Sequence, residues 1–348
     1  MRAESQGTFA RTLSLAALYP HDSVTTAAPN PGTLFPLRPA HVVAPQRGIV
    51  LDSIEPRVRH SMKVCEQIAR REARNFYFGM RLTPRARRWA IYAVYAWMRH
   101  ADDVIDGAPD ACSQRAALHL LTTQTHAALE PREACQASFL APGVPGHESF
   151  WPAFAAAVAH FPIDRAWLDS LLLGLEEDAQ HRGYQDLATL RAYCYRVGGT
   201  VGQVCVAIWG HHSADGAAFE LAASRGRALQ LINIARDIGE DARMGRSYVP
   251  CDMLAACGAR AFSPAQPVGE PELRVVAALL AAAKAEMGQS RGLEALISPA
   301  AVPSLATITG IYVGVAEKLA NKPLLAYQGR ARLSLYEKLG VMLGAMVE

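Results

Sequence analysis

Two sets of oxygen-bearing side chains could do chemistry in this chain. The first is Asp102, Asp103 and Asp106; the second is Asn233, Asp237 and Asp241. In each set oxygens recur four residues apart inside a segment that reads as helix. Four residues is about one helical turn, so each set presents its oxygens on one face. Facing each other, two such sets would hold hard cations. Mg²⁺ prefers oxygen ligands and usually keeps water and a substrate phosphate among them. No His or Cys joins either stripe, which argues against zinc. The chemistry expected is ionisation of an allylic prenyl diphosphate.

Such a site needs more than cations. Arg70, Arg71, Arg74, Arg81, Arg85, Arg87, Arg88 and Arg99 crowd one stretch. Most of them suit solvated helix faces, whereas Arg74 and Arg99 are placed to meet an anionic substrate. Loss of diphosphate leaves a carbocation that apolar walls must keep from water. Aromatic faces stabilise it through their quadrupoles. Phe76, Tyr77, Tyr92, Tyr95, Trp97, Tyr193, Tyr195, Trp209 and Tyr248 are the candidates, of which two or three are expected to touch substrate and the rest to be core.

The elements that must position these residues read as helices. Apolar periodicity predicts them over about 57–79, 85–106, 113–129, 150–160, 164–181, 187–210, 215–241, 272–295, 299–320 and 333–347. Pro84 can open the second and Gly107 can stop it. In 85–106, Tyr95, Arg99, Asp102 and Asp106 share a stripe that is oily at its start and acidic at its end. Gln230, Asn233, Asp237 and Asp241 form a matching stripe in 215–241. Gly198, Gly199 and Gly202 sit inside an apolar helical pattern, where Gly costs about 1 kcal/mol against Ala. A packing contact, or a kink that makes room for a prenyl tail, would justify them. Residues 1–55 carry Pro20, Pro29, Pro31, Pro36, Pro39 and Pro45 and predict a flexible extension. Residues 130–149 and 258–271 read as loops. The sum is one all-α domain, 56–348, behind that extension.

Composition narrows the classes. The chain has 348 residues, 51% of them hydrophobic, enough for a large core. A net charge of +3 is too small to argue for nucleic acid. The seven cysteines, an odd number without a CxxC pair, suggest neither a disulfide framework nor a zinc site and fit a reducing cytoplasm. No apolar run reaches a membrane span of about 18 residues. The short apolar patch 13–18 lacks the flanks of a signal peptide. No solenoid repeat stands out, and no Gly-rich phosphate loop follows a strand pattern.

Four strings together resemble the squalene/phytoene synthases, the head-to-head trans-prenyl transferases. They are Arg74-Asn75-Phe76-Tyr77, the run from Tyr95 to Gly107, the run from Tyr193 to Gly202, and the run from Gln230 through Arg243 to Pro250. The resemblance covers about residues 60–340. It implies an isoprenoid-synthase fold, all-α around a central apolar cavity. It also implies Mg²⁺-dependent joining of two identical allylic diphosphates through a cyclopropylcarbinyl diphosphate. Carried over position by position, Asp102, Asp106, Asn233, Asp237 and Asp241 would hold metal, with Asp103 beside them. Arg99, Arg236 and Arg246 would meet diphosphate, together with Arg74. Tyr95 and Tyr248 would stand near the reacting carbons, and Phe76 and Gln230 would line the cavity.

The string 71–79 looks more like the bacterial squalene branch, so the expected substrate is a pair of C15 farnesyl diphosphates and the product of presqualene or squalene type. The alternative is phytoene synthesis from two C20 geranylgeranyl diphosphates. The cofactor implied is Mg²⁺, with Mn²⁺ as a substitute, and NADPH only for squalene itself. The expected location is the cytoplasm, with transient docking on a membrane surface through the basic stretch 70–88. Two rivals stand against this reading. A single-substrate terpene cyclase conflicts with the 193–202 string. A non-catalytic binding or assembly relative conflicts with five retained metal-ligand candidates.

Overall fold

The computed structural model describes residues 55–108, 110–130, 150–329 and 331–347. The expected extension 1–55, apart from Glu55, and nearly all of the loop 130–149 lie outside the described residues. Helices follow one another as α1 (Pro56–Glu72), α2 (Arg74–Leu82), α3 (Arg85–Asp106), α4 (Ala111–Leu129), α5 (Trp151–His160), α6 (Arg165–Gln180) and α7 (Leu187–Cys194). A π-helical turn, Tyr195–Gly199, joins α7 to α8 (Thr200–Trp209). Then come α9 (Ala217–Arg243), α10 (Cys251–Cys257), α11 (Glu270–Gln289), α12 (Leu293–Leu296), α13 (Val302–Asn321), α14 (Leu325–Gln328) and α15 (Leu335–Val347). No strand occurs among the described residues; His211 and Ile297 form an isolated bridge.

Local chemistry explains most boundaries. Asp110 caps α4 by accepting from Cys112 N and Ser113 N at 2.9 and 2.8 Å. Asp164 caps α6 through Ala166 N, and Asp186 forms a capping box with Thr189 at α7. Pro84 precedes α3 with an extended backbone, ψ 136°.

Three expected helices are broken. The segment 57–79 splits at Ala73, and α2 turns to dock on α13. The docking point is Gly79, where a Cβ would lie 2.3 Å from Ile308 Cγ1 and 2.9 Å from Ser304 O. Ser304 Oγ donates to Gly79 O at 2.8 Å. The segment 187–210 is interrupted by the π turn. The segment 272–295 ends at Gln289, after which Gly292 at φ 86° starts α12. The short helices α10 and α14 are too brief for periodicity to show.

The long helix α9 is the axis. Its middle has small residues where α8 and the π turn cross it. A Cβ on Gly226 would meet Gly198 O at 2.1 Å, and one on Gly202 would meet Ala222 O at 2.4 Å. Backbones this close leave no room for any side chain. On its other side α9 packs against α11, with Glu286 buried between Arg227 (2.8 Å) and Arg191 (3.0 Å). Arg225, also buried, bridges to Ser290 Oγ at 2.7 Å, Glu294 at 2.8 Å and Thr309 at 2.8 Å. These ties fix the rotation of α9 about its own axis.

The expectation that no segment could span a membrane needs correction. The stretch Pro299–Asn321 is long and apolar enough by length and composition, with 61% of its apolar window buried inside the protein. It packs against α2, α9 and α15 as a core helix.

Candidate active site

A cavity of about 1150 Å³ opens between α2, α3, α6, α8, α9 and α13. It exceeds the usual range for a small-ligand pocket, roughly 300–1,000 Å³. On α3 the lining residues are Ile91, Val94, Tyr95, Met98, Arg99, Asp102 and Ile105. On α9 they are Ala222, Arg225, Gly226, Leu229, Gln230, Asn233, Arg236, Asp237 and Asp241. Both are stripes of three-and-four spacing, and each runs mainly from apolar to acidic along its helix. From Ala222 to Asp241 the α9 stripe is about 28 Å long at 1.5 Å per residue. The two oxygen-bearing faces therefore share one cavity with a greasy interior.

Of the residues the sequence pointed to, Phe76, Tyr95, Arg99, Asp102, Gln230, Asn233, Arg236, Asp237, Asp241 and Arg246 all line this cavity. The side chains of Arg74 and Asp106 lie outside the described residues; their backbones place them at the start of α2 and the end of α3. Asp103 is not on the cavity wall. It sits beside the stripe and forms an ion pair with Arg99. Tyr248 also differs from expectation. It is buried behind the wall, and its hydroxyl donates to Asp178 at 2.9 Å. Among the aromatic candidates, Phe76, Tyr77, Tyr95 and Trp209 line the cavity, Tyr92, Trp97 and Tyr193 belong to the surrounding core, and Tyr195 is half-buried with its hydroxyl donating to Gln203 at 3.3 Å. Phe78 and Tyr312 also line it.

The polar groups are arranged for charge they do not themselves supply. Asn233 Oδ1 is buried without a hydrogen-bond partner, while its amide nitrogen donates to Gln230 at 3.2 Å. A buried acceptor left this way costs about 1–3 kcal/mol, and a cation would satisfy it. Asp241 is pushed up to about 7 by burial, then by the charges of Asp237 and Glu240. Crowded carboxylates of this kind hold a proton unless positive charge arrives. Arg99 Nε is a buried donor without a partner on the same cavity, suited to an anionic oxygen. Arg236 grips Asp237 with both arms, at 2.8 and 2.6 Å. Burial opposes its charge, but the bidentate pair outweighs it and raises its pKa.

No three Asp, Glu, His or Cys side chains cluster tightly enough to hold a metal by themselves among the described residues. Mg²⁺ does not require such a cage, since it is commonly bound by one or two carboxylates plus substrate phosphate. The orphaned Asn233 oxygen and the Asp241 carboxyl, raised by burial and its acidic neighbours, fit that mode.

Sequence reasoning missed Asp178. It lines the cavity from α6, with Tyr193 donating to its Oδ2 and Tyr248 to its Oδ1, each at 2.9 Å. Burial raises it to about 6 against those hydrogen bonds and the charge of Arg246. Three residues on, His181 Nε2 lies 2.8 Å from Ser247 N and 3.1 Å from Ser247 O. The end of α6 thus clasps the 245–248 loop that brings Arg246 to the cavity. Glu176-Glu177-Asp178 reads as a solvated acidic run in sequence, which hid the inward member.

The comparisons with known proteins agree with this geometry. The family model for squalene/phytoene synthase matches residues 69–337. A phytoene synthase of Mycobacterium tuberculosis is 31% identical over 295 residues, 83% of this chain and 91% of that protein. A 15-cis-phytoene synthase of Paracoccus sp. is 34% identical over 282 residues, 78% and 86% of the two chains. Among solved structures, a dehydrosqualene synthase superposes with a TM-score of 0.72 at 24% identity, covering 83% of this chain and 96% of its own. Squalene synthase HpnC from Alicyclobacillus acidocaldarius gives 0.64 at 25% identity, covering 80% and 99%.

Proposed function

Since the chain belongs to the squalene/phytoene synthase family and has its isoprenoid-synthase fold, we propose that it joins two C20 allylic diphosphates head to head, as a phytoene-type synthase. The family joins prenyl diphosphates; the chain length and the metal are this reading's additions. Relatives at 31 and 34% identity that carry the phytoene synthase name support the C20 pair over the C15 pair expected from residues 71–79. The cavity volume of about 1150 Å³ supports a long tail. The C15 pair is the second reading, favoured by the superposition on a dehydrosqualene synthase.

One observation carries the reading: a buried orphan acceptor, Asn233 Oδ1, and a buried orphan donor, Arg99 Nε, face one cavity between two acidic helices. An Mg²⁺–diphosphate pair would satisfy both. Asp102, Asn233, Asp237 and Asp241 would hold the metal, with Asp106. When bound, Mg²⁺ would neutralise the leaving diphosphate as a Lewis acid. Arg99, Arg236 and Arg246 orient the diphosphate oxygens. The C–O bond of one substrate breaks and its diphosphate departs with the electron pair. The cation alkylates the double bond of the second chain, giving the cyclopropylcarbinyl diphosphate with release of a proton. Tyr95, Phe76 and Tyr312 supply aromatic faces to the cationic carbons, each such contact worth about 2 kcal/mol when desolvated. The apolar walls keep water from them.

Incubating the purified chain with C15 or C20 allylic diphosphate and Mg²⁺, then extracting the hydrocarbon, tests this reading. A C40 hydrocarbon is expected. A C30 product alone moves the assignment to the second reading, and uncoupled alcohols alone contradict head-to-head chemistry.

A further inference from the structure

A synthase that ends without a reductant must shed a proton at its last step. After the cyclopropylcarbinyl intermediate ionises and rearranges, a C–H bond beside the cationic carbon breaks. Its electron pair becomes the second bond of the new central alkene, and the proton needs an acceptor. Most cavity carboxylates are committed elsewhere. Asp237 is held by Arg236 at 2.8 and 2.6 Å, and Glu72 pairs with Arg71 at 2.6 Å. Asp102 and Asp241 belong to the cation-binding faces.

Asp178 stands apart. It lies on the cavity wall on a third helix, α6, and each of its oxygens accepts one phenolic hydrogen, from Tyr193 and Tyr248, at 2.9 Å. A carboxylate has about four lone-pair sites, so each oxygen keeps capacity for a proton. The two phenols hold the group in place; their hydrogen bonds and the charge of Arg246 lower its basicity, and burial outweighs them. The phenols are fixed in turn, because Tyr193 and Tyr248 stack with centroids 5.4 Å apart and Tyr184 packs on both. A base must be rigidly placed to act on a short-lived cation, and this one is.

We propose that Asp178 is the general base of the terminating step, taking the proton whose loss creates the central double bond. Its oxygen becomes a neutral acid, the electron pair stays in the product, and the second diphosphate has already left with its own pair. The proton passes to solvent when product leaves. Burial, which raises Asp178 to about 6, is consistent with a carboxylate that can accept a proton near neutrality.

The inference rests on the head-to-head reading. If wild-type protein makes no coupled hydrocarbon, that reading fails before Asp178 is in question. The test compares wild type, Asp178→Asn and Asp178→Glu, each checked for folding by circular dichroism. Diphosphate released is counted against hydrocarbon formed. Wild type should give two diphosphates per hydrocarbon. In Asp178→Asn the hydrocarbon should fall at least tenfold while diphosphate release continues, the balance appearing as coupled-chain alcohols from capture by water. Asp178→Glu keeps a base in a shifted place and should still make hydrocarbon. With substrate deuterated at C1 its isotope effect on hydrocarbon formation should exceed that of wild type, and this arm stands if the Asn variant does not fold. The assignment is overturned if the ratio stays at two to one in a slower Asn variant, if the Glu variant shows no larger isotope effect, or if raised Mg²⁺ restores the Asn variant.

Discussion

At the scale of single residues, the site is a balance of charges that the protein leaves unfinished. Arg236 is the clearest case, for it serves the fold and the proposed anion site together. Its side chain and that of Asp237 are each only 16% exposed. Removing one partner of a buried pair strands the other, at a cost of about 3 kcal/mol or more. Arg236→Met should therefore lower stability by about that amount in urea unfolding. Arg236→Lys keeps a charge but loses the fork, so it should stay much nearer wild type in stability yet lose at least tenfold in kcat/KM. Equal stability of the Met variant and wild type would contradict the pairing. At this scale the sequence placed Asp102, Asn233, Asp237 and Asp241 on helical stripes that line the cavity, because spacing of three and four fixes such a stripe. It did not show Asp178 or the true place of Tyr248. Both depend on how α6 meets the loop after α9, a tertiary contact between residues 70 positions apart. The orphaned atoms were equally invisible, since a missing partner is a property of packing.

At the scale of elements, the crossing of α9 with α8 and the π turn decides the cavity floor. The glycines there are packing contacts, the first of the two readings open in the sequence, and Gly198, Gly202 and Gly226 also line the cavity. A Cβ on Gly226 would meet backbone, Gly198 O at 2.1 Å and Gly199 Cα at 2.8 Å, which no rotamer change can relieve. Gly226→Ala should thus destabilise by about 1–3 kcal/mol, the usual cost of overpacking, despite the higher helix propensity of Ala. A thermal melt at or above wild type would contradict this close crossing. The helix boundaries that went unread have physical reasons. A π turn inserts backbone without changing residue chemistry, so 187–210 stays apolar and periodic on either side of it. The break at Ala73 carries no Gly or Pro and follows from docking α2 on α13. By contrast α3 and α9 were legible almost to the residue, being long and amphipathic.

At the scale of the whole molecule, the helices form a wall around one large cavity, and α3 and α9 carry the proposed metal-binding oxygens into it. Helical periodicity gave the all-α class, and the central cavity was what the resemblance to the squalene/phytoene synthases implied. The depth of the cavity was not legible in the sequence, as it depends on close backbone approach. The central claim is that the α3 and α9 faces act together on one metal-bound diphosphate. Calorimetric titration of an unreactive thiolo-diphosphate analogue with Mg²⁺, into wild type, Asp102→Asn, Asp237→Asn and the double variant, measures that cooperation directly. Each single variant should bind at least tenfold more weakly, and the double variant should lose far less than the sum of the two, as for residues sharing one ligand. Strictly additive losses, or full affinity after either single change, would contradict it.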